Sequence, residues 1–148
     1  MKKPPKDWPR ISSELFYEDA AAAIEWVCRA FGFTARFKME GEDGTIVHSE
    51  LELPDAGLIM VGTAGQRERC ASPRSLGGAN TQSLCVFVDD ADAHCAHARA
   101  AGATIIAEPT THDHGAEYWA DRTYQAEDLE GHRWWFIQRV RDVGEPIA

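Results

Sequence analysis

His48 and Glu50 stand two residues apart in the segment Thr45 to Leu53, and in an extended chain that spacing puts both side chains on one face of a sheet. An imidazole beside a carboxylate can serve as an acid/base couple or as a pair of ligand-holding groups, since the carboxylate orients the ring. The alternation gives Val47, Ser49, Leu51 and Leu53 to a helix-facing side, and Ile46, His48, Glu50 and Glu52 to the opposite side. A solvated polar face has the same pattern.

Aromatic residues form a second group. His132-Arg133-Trp134-Trp135-Phe136-Ile137 carries two adjacent tryptophans, which a strand must turn to opposite faces, so one of them looks away from any covering helix. With Tyr118, Trp119 and Tyr124 it predicts an aromatic pocket able to stack on planar or cationic ligands; the alternative is that these rings are core. Between strands, Pro109 to Glu117 has loop composition and reads as a flap at the pocket mouth. Its His112 and His114 are two metal-ligand types without a third of fixed geometry, and a solvated loop explains them as well. No GxGxxG, GxxxxGK[ST], HExxH or GxSxG pattern occurs, which argues against nucleotide-binding, zincin and α/β-hydrolase chemistry. Cys28, Cys70, Cys85 and Cys95 include no CxxC pair and read as reduced thiols packed as small hydrophobes.

The elements that must position these groups come as a repeat. Phe16-Tyr17-Glu18-Asp19-Ala20 returns as Phe87-Val88-Asp89-Asp90-Ala91 at an offset of 71 residues. After the first copy, Ala20, Ile24, Val27, Cys28 and Phe31 form the apolar stripe of a helix ending at Gly32. After the second, Ala91, His94, Cys95, Ala98 and Ala101 form a thinner stripe ending at Gly102. Asp19 and Asp90 sit where N-caps belong. Strands are expected at Ile11–Tyr17, Thr34–Met39, Thr45–Leu53 and Leu58–Gly62, with turns at 41–44 and 54–57, and again at Ser83–Val88, Thr104–Ala107, Arg122–Glu127 and Trp134–Gln138. The reading is α+β: two tandem βαβββ modules forming a curved mixed sheet, with helices outside and a concave cavity. The expected division is a loosely held or disordered leader (1–9), the first module (10–66), a linker (67–81), the second module (82–140) and a tail (141–148).

Lys and Arg number 15 against 24 Asp and Glu, a formal net charge of −9, so phosphate backbones are repelled and nucleic acid is excluded as a partner. No apolar run has the ~20 residues of a membrane span, and the leader lacks the apolar core of a signal peptide. A cytoplasmic protein with no membrane partner is expected.

The opening Leu15-Phe16-Tyr17-Glu18-Asp19, Ile24-Glu25-Trp26 and Phe31-Gly32-Phe33, with the closing Trp119-Ala120-Asp121-Arg122 and Glu127-Asp128-Leu129-Glu130-Gly131-His132-Arg133-Trp134, resemble the vicinal oxygen chelate superfamily over nearly the whole chain. That superfamily holds glyoxalase I, extradiol dioxygenases, fosfomycin-modifying enzymes and bleomycin-resistance proteins; the closing motif is most similar to its branch of small glyoxalase-like proteins. The resemblance implies metal ligands early in the first strand of each module and a Glu four residues after the closing Gly. Here those places hold Ile11-Ser12-Ser13, Thr81-Gln82-Ser83, Trp135 and, in the first module, Val61, none of them a usual ligand.

The implied function is metal-independent binding or sequestration of a small aromatic or cationic molecule by a homodimer, with no cofactor. His48, Glu50, Trp119, Arg122, Tyr124 and Trp135 are the candidate ligand-binding residues. The alternative is a lyase, isomerase or dioxygenase of the same superfamily with a divalent metal displaced onto His48, Glu50, His112 and His114.

Overall fold

The computed structural model describes residue 5 and residues 7–54 and 57–146. Its elements run β1 (Ser13–Tyr17), α1 (Ala20–Phe31), β2 (Thr34–Glu40), β3 (Ile46–Leu53), β4 (Gly57–Thr63), β5 (Leu84–Phe87), α2 (Ala91–Ala100), β6 (Thr104–Asp113), β7 (Ala120–Glu127) and β8 (Arg133–Arg141). The strands form two four-stranded sheets of identical plan, ordered β1-β4-β3-β2 and β5-β8-β7-β6. In each, the first and last strands of the module pair in parallel and the other neighbours are antiparallel. The chain is therefore α+β with two tandem βαβββ modules, as the repeat predicts. Two compact units part after Ala79. The expected leader and tail, and the turn at 54–57, lie partly outside the described residues. No helix among the described residues is long and apolar enough to cross a membrane.

Both helices start on their aspartates. Asp19 Oδ1 accepts the Ala22 N–H at 3.0 Å and Asp90 Oδ1 the Ala93 N–H at 2.9 Å, satisfying donors that the first turn leaves without partners. Gly32 ends α1 in the left-handed region, at φ 80, where glycine carries no Cβ penalty; in α2 the positive φ falls at Gly102. The helices differ in what holds them down. α1 buries Ile24, Trp26, Val27 and Phe31, each large aliphatic or aromatic group contributing about 1.5–3 kcal/mol. α2 buries only Ala91, Cys95 and Ala98 among its residues and is tied down by polar contacts instead. Gln138 Oε1 accepts the Ala91 N–H at 3.0 Å, and His94 Nδ1 lies 2.6 Å from the Tyr124 hydroxyl. Tyr124 is stacked on Phe136 with centroids 4.8 Å apart and is 1% exposed, so burial first, and the nearby Cys95 second, push its phenol far above the usual range.

Departures from simple alternation shape the sheets. In β3, Met39 faces His48 but Glu40 faces Ile46, so Val47 is an extra, bulged residue; it turns outward, and Ile46 becomes buried rather than sharing the face of His48. At the third residue of β2 and of β6, Arg36 and Ile106 are likewise passed over by the pairing. The expected loop at Pro109 to Glu117 is instead strand as far as Asp113, because Thr110, Thr111, His112 and Asp113 pair with Thr123, Arg122, Asp121 and Ala120. β-branched threonines favour extended backbone, and Pro109, which has no N–H to donate, falls in the irregular stretch between Ala107 and Thr110.

Two polar residues close joints that backbone pairing leaves open. Asp128 accepts from the N–H groups of Glu130 and His132 with Oδ1 and from the Trp134 indole with Oδ2, at 3.0 to 3.1 Å, which fixes the turn into β8. Ser49, fully buried, donates its hydroxyl to the Val61 carbonyl at 2.7 Å and accepts the Val61 N–H at 3.0 Å, in place of ladder bonds where β3 leaves β4.

Replacing Ser49 by Ala strands both backbone groups of Val61 in the core, and should cost about 2–3 kcal/mol in urea unfolding. For Tyr124, a folded pKa raised above the unfolded value of about 10 means stabilisation present in full below that pH and lost as pH rises beyond it. Ultraviolet titration of the folded protein should therefore show no tyrosine signal missing from Tyr124→Phe up to about pH 11, the difference emerging only on unfolding.

Candidate functional site

Each sheet has one face under its helix and one turned away, and the chemistry divides between the two. In the first unit the face opposite α1 carries His48 and Glu50 on β3, with Met39 and Phe37 opposite them on β2. His48 Nε2 lies 3.2 Å from Glu50 Oε1, and the other Glu50 oxygen receives Arg36 Nε at 2.7 Å. The bulge at Arg36 lets its long side chain reach this face. Arg36 also lies 3.6 Å from Glu52 Oε2 and donates to the Asp7 carbonyl at 2.9 Å. Burial alone would raise the Glu50 carboxyl, but the hydrogen bonds from Arg36 and His48 and the charges of both outweigh it, leaving the group below its ordinary value and ionised. Above this cluster Trp8 lies nearly parallel to His48, at 11° with centroids 6.4 Å apart, and the Arg36 guanidinium stands 5.3 Å over its ring.

In the second unit the face opposite α2 carries Trp135, Ile137 and Arg139 on β8, Cys85 and Phe87 beside them on β5, and Gln125, Thr123 and Asp121 on β7. Phe87 is 63% exposed. Arg139 is the centre of this surface: its guanidinium stands 5.8 Å from the Phe87 ring and 5.4 Å from the Trp119 ring, with Asp121 at 2.6 Å and Asp142 at 3.0 Å. These contacts draw Trp119 onto the same surface as Trp135.

Of the residues expected from the sequence, the structure thus joins His48 to Glu50 in one unit and places Trp119 and Trp135 on one surface of the other. Arg122 and Tyr124 lie on the α2 side. Arg122 holds the Asp92 carboxylate on α2 at 2.5 and 2.7 Å and lowers its pKa, while Tyr124 sits beneath the helix. His112 is on β6 opposite Asp121, and the His114 ring packs 5.4 Å from Trp119. Sequence reasoning passed over Trp8, Arg36, Phe87, Asp121 and Arg139. The last is the next residue on the Trp135 and Ile137 face and was open to the same alternation argument; Trp8 and Arg36 depend on a loop and a bulge.

The donor set does not fit the metal of the resembling superfamily. Val61 is a buried hydrocarbon, Trp135 offers an N–H without a lone pair, and the one buried polar side-chain atom without a partner among the described residues is the Ser12 hydroxyl, a weak ligand for a divalent ion. No three His, Cys, Asp or Glu side chains gather among the described residues.

The same architecture is found in other proteins. TioX from Micromonospora sp. ML1 superimposes with a TM-score of 0.68 at 32% identity, over 89% of this chain and 99% of that one. A Sphaerobacter thermophilus member of the glyoxalase/bleomycin resistance protein/dioxygenase superfamily gives a TM-score of 0.68 at 16% identity, over 86% of this chain and 94% of that one, and so shares the fold. An uncharacterized protein of Mycobacterium bovis is 31% identical over 137 residues, 91% of this chain and 86% of its own length. The sequence model of the Glyoxalase/Bleomycin resistance protein/Dioxygenase superfamily matches residues 11–136, and with the duplicated βαβββ plan it establishes that the chain belongs to that superfamily.

Proposed function

We propose that the protein binds a flat, cationic small molecule on the second module's face opposite α2, without a metal. The observation that carries this reading is the setting of Arg139. A planar cation of the protein itself already lies near two aromatic rings with carboxylates at its edge, and each such cation–ring contact contributes about 0.5–2 kcal/mol. Asp121 and Asp142 together exceed Arg139 by one negative charge, so the surface keeps an attraction for a further cation. The exposed ring of Phe87 offers the area on which to stack it, and the net charge of −9 favours the approach of cations over long range. Sequestration needs no reacting group, which agrees with a surface of rings and paired charges. The homodimer and the cytoplasmic location expected from the sequence belong to the same proposal.

A metal-dependent lyase, isomerase or dioxygenase is the second reading, favoured by the His48–Glu50 contact. A metal there would take His48 Nε2 and Glu50 Oε1 in place of the 3.2 Å contact between them, with Arg36 on the other Glu50 oxygen.

Titration with proflavine, a flat cation, should quench tryptophan fluorescence saturably, and Phe87→Ala should weaken binding at least five-fold, about 1 kcal/mol. Quenching that never saturates, or a Phe87→Ala variant that binds as well as the parent, would sink the proposal. Dialysis of untagged protein against Zn, Ni, Mn and Fe salts should leave less than one equivalent bound; stoichiometric uptake abolished by His48→Gln would favour the second reading instead.

A further inference from the structure

We infer that the first module carries a separate ring-binding site, for an electron-rich neutral aromatic such as an indole or a phenol, and that Trp8 of the chain occupies it. The occupant shows the chemistry. The Trp8 indole lies near-parallel to the His48 imidazole, and the Arg36 guanidinium stands over its face at 5.3 Å. A cation over a ring is attracted by the negative face of an electron-rich π-system, so Arg36 favours an indole or a phenol over an electron-poor ring. Phe37, its centroid 5.9 Å from His48 and itself 47% exposed, adds apolar area beside the ring. Arg36 is not free to leave, because Glu50 at 2.7 Å, Glu52 at 3.6 Å and the Asp7 carbonyl at 2.9 Å fix its direction. The site rests on different residues from those proposed for the second module.

The hold of the chain on its own ring is light. Residues 7–12 join no strand, and Ile11 is 89% exposed. Arg36 donates to the Asp7 carbonyl, and Trp8 adds its ring contacts. Trp8 therefore acts as a tethered competitor, whose effective concentration on a short flexible link is of millimolar order. A free ligand sees its affinity reduced by the fraction of time that Trp8 is away, so an aromatic ligand and the leader exclude each other.

The test is indole binding to the full chain, read from the His48 ring resonances by NMR, with His48→Gln supplying the assignment. Trp8→Ala should bind indole at least five-fold more tightly than the parent, and Trp8→Leu should do the same if truncation perturbs folding. Adding Arg36→Gln should remove the gain. Phe87→Ala should leave all of these results unchanged, which separates this site from the one on the second module. Unchanged indole affinity in both Trp8 variants, or a gain that survives Arg36→Gln, would overturn the inference.

Discussion

One helix covers one face of each four-stranded sheet, and the site chemistry of the protein follows from the face left over. A sheet must bury one side to be stable, and here that demand is met by α1 over Leu51, Ile59 and Val61, and by α2 over Ala126, Trp134 and Phe136. With the apolar requirement satisfied on that side, the opposite side is released to carry charge and exposed rings. Among the polar groups that enter the covered side, Ser49 and Tyr124 each close a specific hydrogen bond.

Duplication of the module has not duplicated its chemistry. Both uncovered faces combine an arginine, carboxylates and an aromatic ring, yet the arginine plays different parts. On the first, Arg36 is anchored from below and looks up at an indole. On the second, Arg139 lies across rings of its own module. The same three residue types thus serve two arrangements, one in which the arginine meets a ring from the segment before β1 and one in which it lies against rings of its own module.

Local signals were legible in the sequence, and cross-strand ones were not. Asp19, Asp90 and Gly32 act within one turn of the chain, so residue type alone locates them, and the strand-helix-strand repeat follows. The adjacent tryptophans could be divided between faces from the sequence, with Trp135 the candidate for the uncovered one, and the pairing of β8 with β5 and β7 puts it there. Arg122 and Tyr124 belong with Ala126 on the α2 side by simple alternation along β7, a signal available from the start and outweighed by their place beside a recognised motif. Ile46 misled because the bulge at Val47 is set by its partner strand, and Trp8 because nothing in a proline-containing leader announces which sheet it will cross.

Those bulges have a second consequence. β2 and β6 are the last strands of their sheets, and a regular outer strand is a template on which foreign chains polymerise. The chain slips a residue out of register at Arg36 and Ile106, and in β6 it adds Pro109, which cannot donate to a newcomer. A strand arriving at either border finds only short stretches with the repeat it needs, so the irregularities that scrambled side-chain alternation also deprive fibril growth of a straight edge.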